Sequence, residues 1–339
     1  MCPDSSLAPG GASSIRSTSS DVFPDVVLSR AVALRYEAHT GASNSTAVAR
    51  GVVEALAYAD VFDWPLTAAE IHRYLPVAAR LDDVVAVLGS GRLARAVQSD
   101  GQLYVLAGRE HLADERHRRT AVSHRLWPLA RRYGRALASL PWVRLVAVTG
   151  SLAVDAATDD ADIDLFIVAE DGRLWLARAL TIGVAKVAIR VKSSRGVRLC
   201  PNYLLTASAL DLPERDLYTA RELAQLVPLF GPDTYRALLE GNGWYRQFLP
   251  NHPGHLGPVG DLPYPRLSRL AERTLQGRLV GRAEQWEMER KIARLHLPTT
   301  TGEVRFDATT CKGHFEGYRQ TVLAAYERRR ADLESDGTL

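Results

Sequence analysis

Asp162 and Asp164 stand two residues apart in the run Asp162-Ile163-Asp164-Leu165, interleaved with aliphatic residues that continue to Ile167. On a strand, residues i and i+2 project to the same face, so the carboxylates point one way, roughly 7 Å apart at Cβ. Ile163, Leu165 and Ile167 then point into a core. Two like charges so placed repel, and one has a raised pKa unless a cation lies between them. A hard cation such as Mg²⁺ takes one or two carboxylates and completes its shell with substrate phosphate oxygens, so the pair suits metal-assisted phosphoryl chemistry. Upstream, Thr149-Gly150-Ser151 closes an apolar run. A glycine there admits close approach of backbone to phosphate, which the serine hydroxyl and the following N–H groups can bond.

Three strands must position these groups. Val143 to Val148 reads as a continuous apolar strand, Asp162 to Ala169 as a second, and Val197 to Thr206 as a third, with Pro201 marking an edge or a bulge. A short helix or turn over Leu152 to Ala157 joins the first two, and a helix over Gly172 to Arg190 joins the last two. Alternation along the third strand puts Arg198, Cys200, Asn202 and Leu204 on one face. Thr219 followed three residues later by Glu222 predicts a capping box that opens a helix toward Leu229. Further helices are expected over Asp233 to Glu240, Arg266 to His296 and Gly313 to Leu333, with a Pro/Gly-rich run from Asn251 to Pro265 among them.

The N-terminal pattern is different. A helix over Ser45 to Val61 is followed by Thr67 and Glu70, a capping box for a second helix to Leu75. A third spans Leu81 to Leu88 and stops at Gly89, and two alternating runs flank Asp100-Gly101 as a hairpin. Three helices and a hairpin make a winged helix-turn-helix. The chain therefore divides into a disordered tail (1–22), a winged-helix-like domain (45–108), connecting arginine-rich helices (109–140), an α/β core (141–249) and a helical C-terminal region (250–339). A short helix over Val26 to His39 lies between tail and winged helix, and Pro128 is expected to kink or divide the arginine-rich stretch.

Composition narrows the function classes. The chain of 339 residues is 46% hydrophobic and carries a formal net charge of +3, so no global attraction to nucleic acid follows. Only four of the 42 basic residues are lysine, a bias that weakens any single arginine as a functional clue. The cysteines Cys2, Cys200 and Cys311 are far apart, without metal-ligand spacing, which fits a reducing cytosol. No window is apolar enough for a membrane span. The histidines form no ligand set. The third helix carries Asp82 and Asp83 where a DNA reader wants basic residues, which argues against duplex DNA and for a protein or interdomain contact.

The segment Val148-Thr149-Gly150-Ser151, ten residues, then Asp162-Ile163-Asp164-Leu165 resembles the polymerase-beta-like nucleotidyltransferase superfamily, most closely its minimal and antibiotic nucleotidyltransferases. The resemblance is specific over Val143 to Val168 and extends to about Leu249. It implies a small mixed-sheet core and transfer of a nucleoside monophosphate from an NTP to an acceptor hydroxyl. Gly150 and Ser151 would hold phosphate, and Asp162 and Asp164 would bind Mg²⁺. The chain departs from the pattern at Val154-Asp155, where many relatives carry Arg-Gly, and at Ala161, where Ser is frequent. Relatives also carry a third carboxylate on a later strand, and here that strand offers Asn202. An amide can accept a metal bond but takes no proton at neutral pH. The reaction then runs without that base, borrows Asp211 or Glu214, or has been lost. Two alternatives stay open: a nucleotide-sensing DNA-binding regulator, and a pseudoenzyme that retains the fold. Neither the base nor the acceptor is legible.

Overall fold

The computed structural model describes residues 41–190, 198–254, 265–294, 304–313 and 317–335. The expected tail and the helix over Val26 to His39 lie outside them. Helix α1 (Gly41–Asp60) buries Val48, Val52, Val53 and Leu56 along one stripe. Strand β1 (Leu66–Thr67) leads into α2 (Ala68–Tyr74), and the expected capping box closes it. Thr67 Oγ1 accepts from the Glu70 amide at 3.2 Å, and the Thr67 amide donates to Glu70 Oε2 at 2.8 Å. Helix α3 (Leu81–Gly89) follows, then the hairpin of β2 (Val97–Ser99) and β3 (Leu103–Leu106). β3 pairs with both β1 and β2, which completes the winged helix.

Helix α4 (Leu112–Ala138) runs unbroken with Pro128 inside it. Its arginines act as staples. Arg116 donates to Glu70 at 2.9 Å and lies over the Trp64 ring, while Arg119 donates to the Phe62 carbonyl at 3.0 Å. Arg118 and Arg125 both reach Asp159 at 2.9 Å.

The remaining strands form one mixed sheet. β4 (Val143–Val148) pairs antiparallel with β5 (Ile163–Ala169). α5 (Gly150–Ala153) links them, and α6 (Leu174–Arg190) carries the chain from β5 to β6 (Leu199–Thr206), which runs parallel to β5. α7 (Leu217–Gln225), β7 (Val227–Phe230) and α8 (Pro232–Gly241) follow. β7 is an edge strand, a place that tolerates the missing N–H of Pro228.

Beyond α9 (Arg266–Thr274) and α10 (Arg278–Arg294), β8 (Val304–Phe306) and β9 (Thr310–Gly313) enter the same sheet, and α11 (Tyr318–Ser335) ends the described chain. The strand order is β7-β4-β5-β6-β9-β8. The expectation of an all-helical C-terminal region is thus corrected. Runs of three and four residues are too short to show a period, and they become strands because β6 presents a free edge to β9.

Alternation divides the sheet's side chains between two cores. Val146, Val148, Ile163, Leu165 and Ile167 pack with α4 and α6 residues on one face. Leu145, Ala147, Phe166 and Val168 pack on the other, in a cluster that includes α7, α8 and the winged helix. The winged helix therefore shares a core with the sheet. Helix α11 locks it in place. Arg329 Nε donates to Asp60 at 2.7 Å, Arg50 pairs with Glu334 at 3.1 Å, and Tyr58 and Tyr326 pack with Ala57 and Val322. Asn251 seals the turn between α2 and α3, accepting from the Ala79 amide at 3.0 Å and donating to the Val77 carbonyl at 2.8 Å.

Candidate functional site

At one end of the sheet, β4 runs out at Val148 beside the start of β5. The Thr149 amide donates to the Asp164 carbonyl at 3.0 Å, the last rung before the chain turns into α5. Gly150 sits at φ +67, in the left-handed region that favours glycine. A Cβ there would lie 2.6 Å from Asp164 Oδ2. The turn and the carboxylate are therefore in direct apposition, and any side chain at position 150 would displace one of them. Ser151 is partly buried, and its hydroxyl makes no hydrogen bond with a described residue.

Asp162 and Asp164 lie on the Phe166 face of the sheet, as alternation requires. Burial, then the negative charges of Glu222 and Asp162, push the Asp164 carboxyl up to about 7, against which a hydrogen bond from the Cys200 thiol works. Asp162 is held differently: Arg198 Nε donates to its Oδ1 at 2.7 Å. The paired acid keeps a cation, while among the described residues none pairs with its neighbour.

The third strand differs from the expected register. Asp164 is opposite Cys200, Leu165 opposite Pro201, and Phe166 opposite Tyr203. Asn202 is the extra residue of the bulge that Pro201 marks, one residue before Tyr203, where the described pairing with β9 begins. The bulge absorbs the N–H that proline lacks, and it moves Tyr203 and Leu205 onto the face of Cys200 and Asp164. The position beside Asp164 thus belongs to Cys200. Asp211 pairs with Arg215 at 3.2 Å on the surface, and Glu214 pairs with Lys312 at 3.1 Å.

The carboxylate that does reach Asp164's surroundings is Glu222, which the sequence reading assigned to a helix cap. The cap of α7 is Asp216 instead, whose side chain accepts from the Thr219 amide at 2.9 Å. Glu222 is thereby free to face the sheet, where its Oε2 accepts from Thr149 Oγ1 at 3.0 Å. Burial raises its pKa, while the Thr149 hydroxyl and the charge of Lys312 oppose the rise. Lys312 is on β9, opposite Tyr203, with its ammonium over that ring. Tyr318, at the start of α11, feels the charges of Glu222 and Asp164. A sequence signal for Glu222 did exist: Asp216 stands three residues before Thr219, and two caps cannot open one helix.

Among the described residues, no group of three or more His, Cys, Asp or Glu side chains is arranged to hold a metal ion. Asp162 and Asp164 are the residues that could hold one. Their chemistry fits a magnesium ion that needs one or two protein carboxylates and draws its other ligands from phosphate and water. The observation for that fit is the Asp164 carboxylate set against the bare Gly150 turn, 2.6 Å from the place of a Cβ, where a ligand of the backbone would also meet the acid. Lys312 acts on the Glu222 charge, and His314 lies outside the described residues. Asp159 and Asp160 are loop acids, the first held by two arginines and the second by the Thr158 hydroxyl.

Comparison with protein-family models, with curated proteins and with solved structures returned no match.

Proposed function

We propose that this protein is a nucleotidyltransferase that moves a nucleoside monophosphate from an NTP to an acceptor hydroxyl. The observation that carries the reading is the apposition of the Gly150 turn and Asp164, with the place of a Cβ only 2.6 Å from the carboxylate oxygen. An acid set against a bare backbone turn lets one ligand touch both. In this reading the Gly150 and Ser151 amides and the Ser151 hydroxyl bind phosphate oxygens. Helix α5 has four residues, so the contact rests on those groups and not on a macrodipole. Asp162 and Asp164 would hold Mg²⁺, which would supply charge neutralisation for the transferring phosphoryl group. The acceptor oxygen bonds to the α-phosphorus, the bond to the β-phosphate oxygen breaks, and pyrophosphate leaves. Glu222 is assigned to take the acceptor's proton, since it is the carboxylate that reaches the Thr149 end of the turn beside Asp164. We place the reaction in a reducing cytosol, in keeping with the free thiols of Cys200 and Cys311. No described helix is long and apolar enough to cross a membrane.

The second reading is a fold that holds nucleotide without turnover. It is favoured by Cys200, which stands opposite Asp164 where a further acid would complete the set. The regulator reading gains nothing from α3, whose exposed residues are Asp82, Val85, Ala86 and Gly89. Incubating the full-length protein with each labelled NTP, Mg²⁺ and a cell extract tests the first two. Magnesium-dependent pyrophosphate release that disappears in the Asp162→Asn, Asp164→Asn double variant is expected. Binding of Mg-NTP without release would select the second reading, and absence of both would overturn the proposal.

A further inference from the structure

Arg221 precedes Glu222 on α7 and is 4% exposed. Its guanidinium carbon lies 4.3 Å from the ring centroid of Tyr58 and 4.1 Å from that of Tyr74. Tyr58 belongs to α1 and Tyr74 to α2, so the arginine is clamped by two helices of the winged helix. Tyr326 of α11 packs edge-on against Tyr58 at 5.6 Å and acts on the same charge. The Tyr74 hydroxyl accepts from Gln225, one turn further along α7, at 3.3 Å. Among the described residues no carboxylate pairs with Arg221, and its Nε is buried without a hydrogen-bond partner.

A guanidinium buried without an acid is expensive, and a methionine of similar reach would fill the space at lower cost. What arginine supplies is a planar cation that two rings grip in a fixed orientation. The gripped residue is next to the one that touches the site. Glu222 accepts from Thr149 Oγ1, and Thr149 begins the turn that places Gly150 against Asp164. A helix is rigid over one turn, so a rotation of α7 that loosens Arg221 also withdraws Glu222.

We propose that Arg221 is a positioning residue: gripped by the winged helix, it sets the rotation of α7, and through Glu222 it holds the Thr149-Gly150-Ser151 turn in register with Asp164. The winged helix is then a structural wall of the site. The value of this coupling for transfer rests on the nucleotidyltransferase reading, whereas the coupling itself is measurable without nucleotide.

The test is hydrogen exchange on full-length protein, comparing the parent with Arg221→Met, Arg221→Lys, Glu222→Gln and the Arg221→Met, Glu222→Gln double variant. Amides 149–153 are expected to exchange about tenfold faster or more in Arg221→Met, while the interior of β4 and β5 keeps its protection. Arg221→Lys, which keeps the charge and loses the planar stack, should fall between parent and Met and serves if Met fails to fold. Adding Arg221→Met to Glu222→Gln should cause little further change, because both act through one contact. Unchanged exchange at 149–153 in both Arg221 variants would overturn the proposal, as would effects that add in full. A parent that never binds Mg-nucleotide counts against the transferase reading alone and leaves the exchange result decisive.

Discussion

Asp164→Asn removes a charge that the metal-free fold accommodates poorly. The Asp164 carboxyl is raised from the ordinary 3.8 to about 7 by burial and by the charges of Glu222 and Asp162. A folded-state pKa above the unfolded one means that the native protein keeps a proton the unfolded chain has already released. Stability is therefore greatest below the unfolded pKa, near 4, and falls as the pH rises toward the folded value near 7. At about 1.4 kcal/mol per pKa unit the loss approaches roughly 4 kcal/mol, an upper value because the group is not wholly shielded from water. The amide variant escapes this loss. With a chelator present, urea denaturation followed by tryptophan fluorescence should show the variant more stable than the parent by about 2–4 kcal/mol at pH 8, and nearly equal to it at pH 4. A slope from Glu222, raised for the same main reason, should remain in both proteins. Mg²⁺ with nucleotide should narrow the gap, since only the parent has the Asp164 carboxylate to stabilise. A constant offset at all pH values, or a variant less stable at pH 8, would refute the reasoning.

Three further outcomes are expected. Gly150→Ala puts a Cβ against Asp164 Oδ2 at a positive φ, so denaturation should show a loss of about 1–3 kcal/mol and calorimetry a collapse of Mg-nucleotide binding. Asp159→Ala removes two exposed ion pairs, to Arg118 and Arg125, and should shift stability by less than about 1 kcal/mol with nucleotide affinity intact; a large loss of affinity would bring Asp159 into the site. The exposed acidic and aliphatic surface of α3 should give weak duplex binding with a shallow salt dependence by fluorescence anisotropy, and nanomolar sequence-selective binding would restore the regulator reading.

Local chemistry was legible in the amino-acid order. The Thr67–Glu70 cap, the Asp100-Gly101 hairpin and the strands around Gly150 and Asp164 all rest on contacts between residues close in sequence, so spacing alone reveals them. The same alternation that put Asp162 and Asp164 on one face also sent Ile163 and Leu165 to the other, as the two cores require. Periodicity could not say how distant segments would compete for these groups. Thr219 and Glu222 had the spacing of a cap, but Asp216 capped α7 and released Glu222 to Thr149, a partner 73 positions away. The bulge at Pro201 shifted a register that alternation counts as unbroken, giving Cys200 the place beside Asp164. β8 and β9 exist because β6 had an edge to pair, and the rings around Arg221 come from three helices that meet only when the sheet's second face is covered. Sequence determined which backbone turns and strand faces could carry phosphate and metal chemistry. Tertiary packing decided which acids stand beside them, because the hydrogen bond or burial that places a side chain is won against partners that sequence distance does not rank.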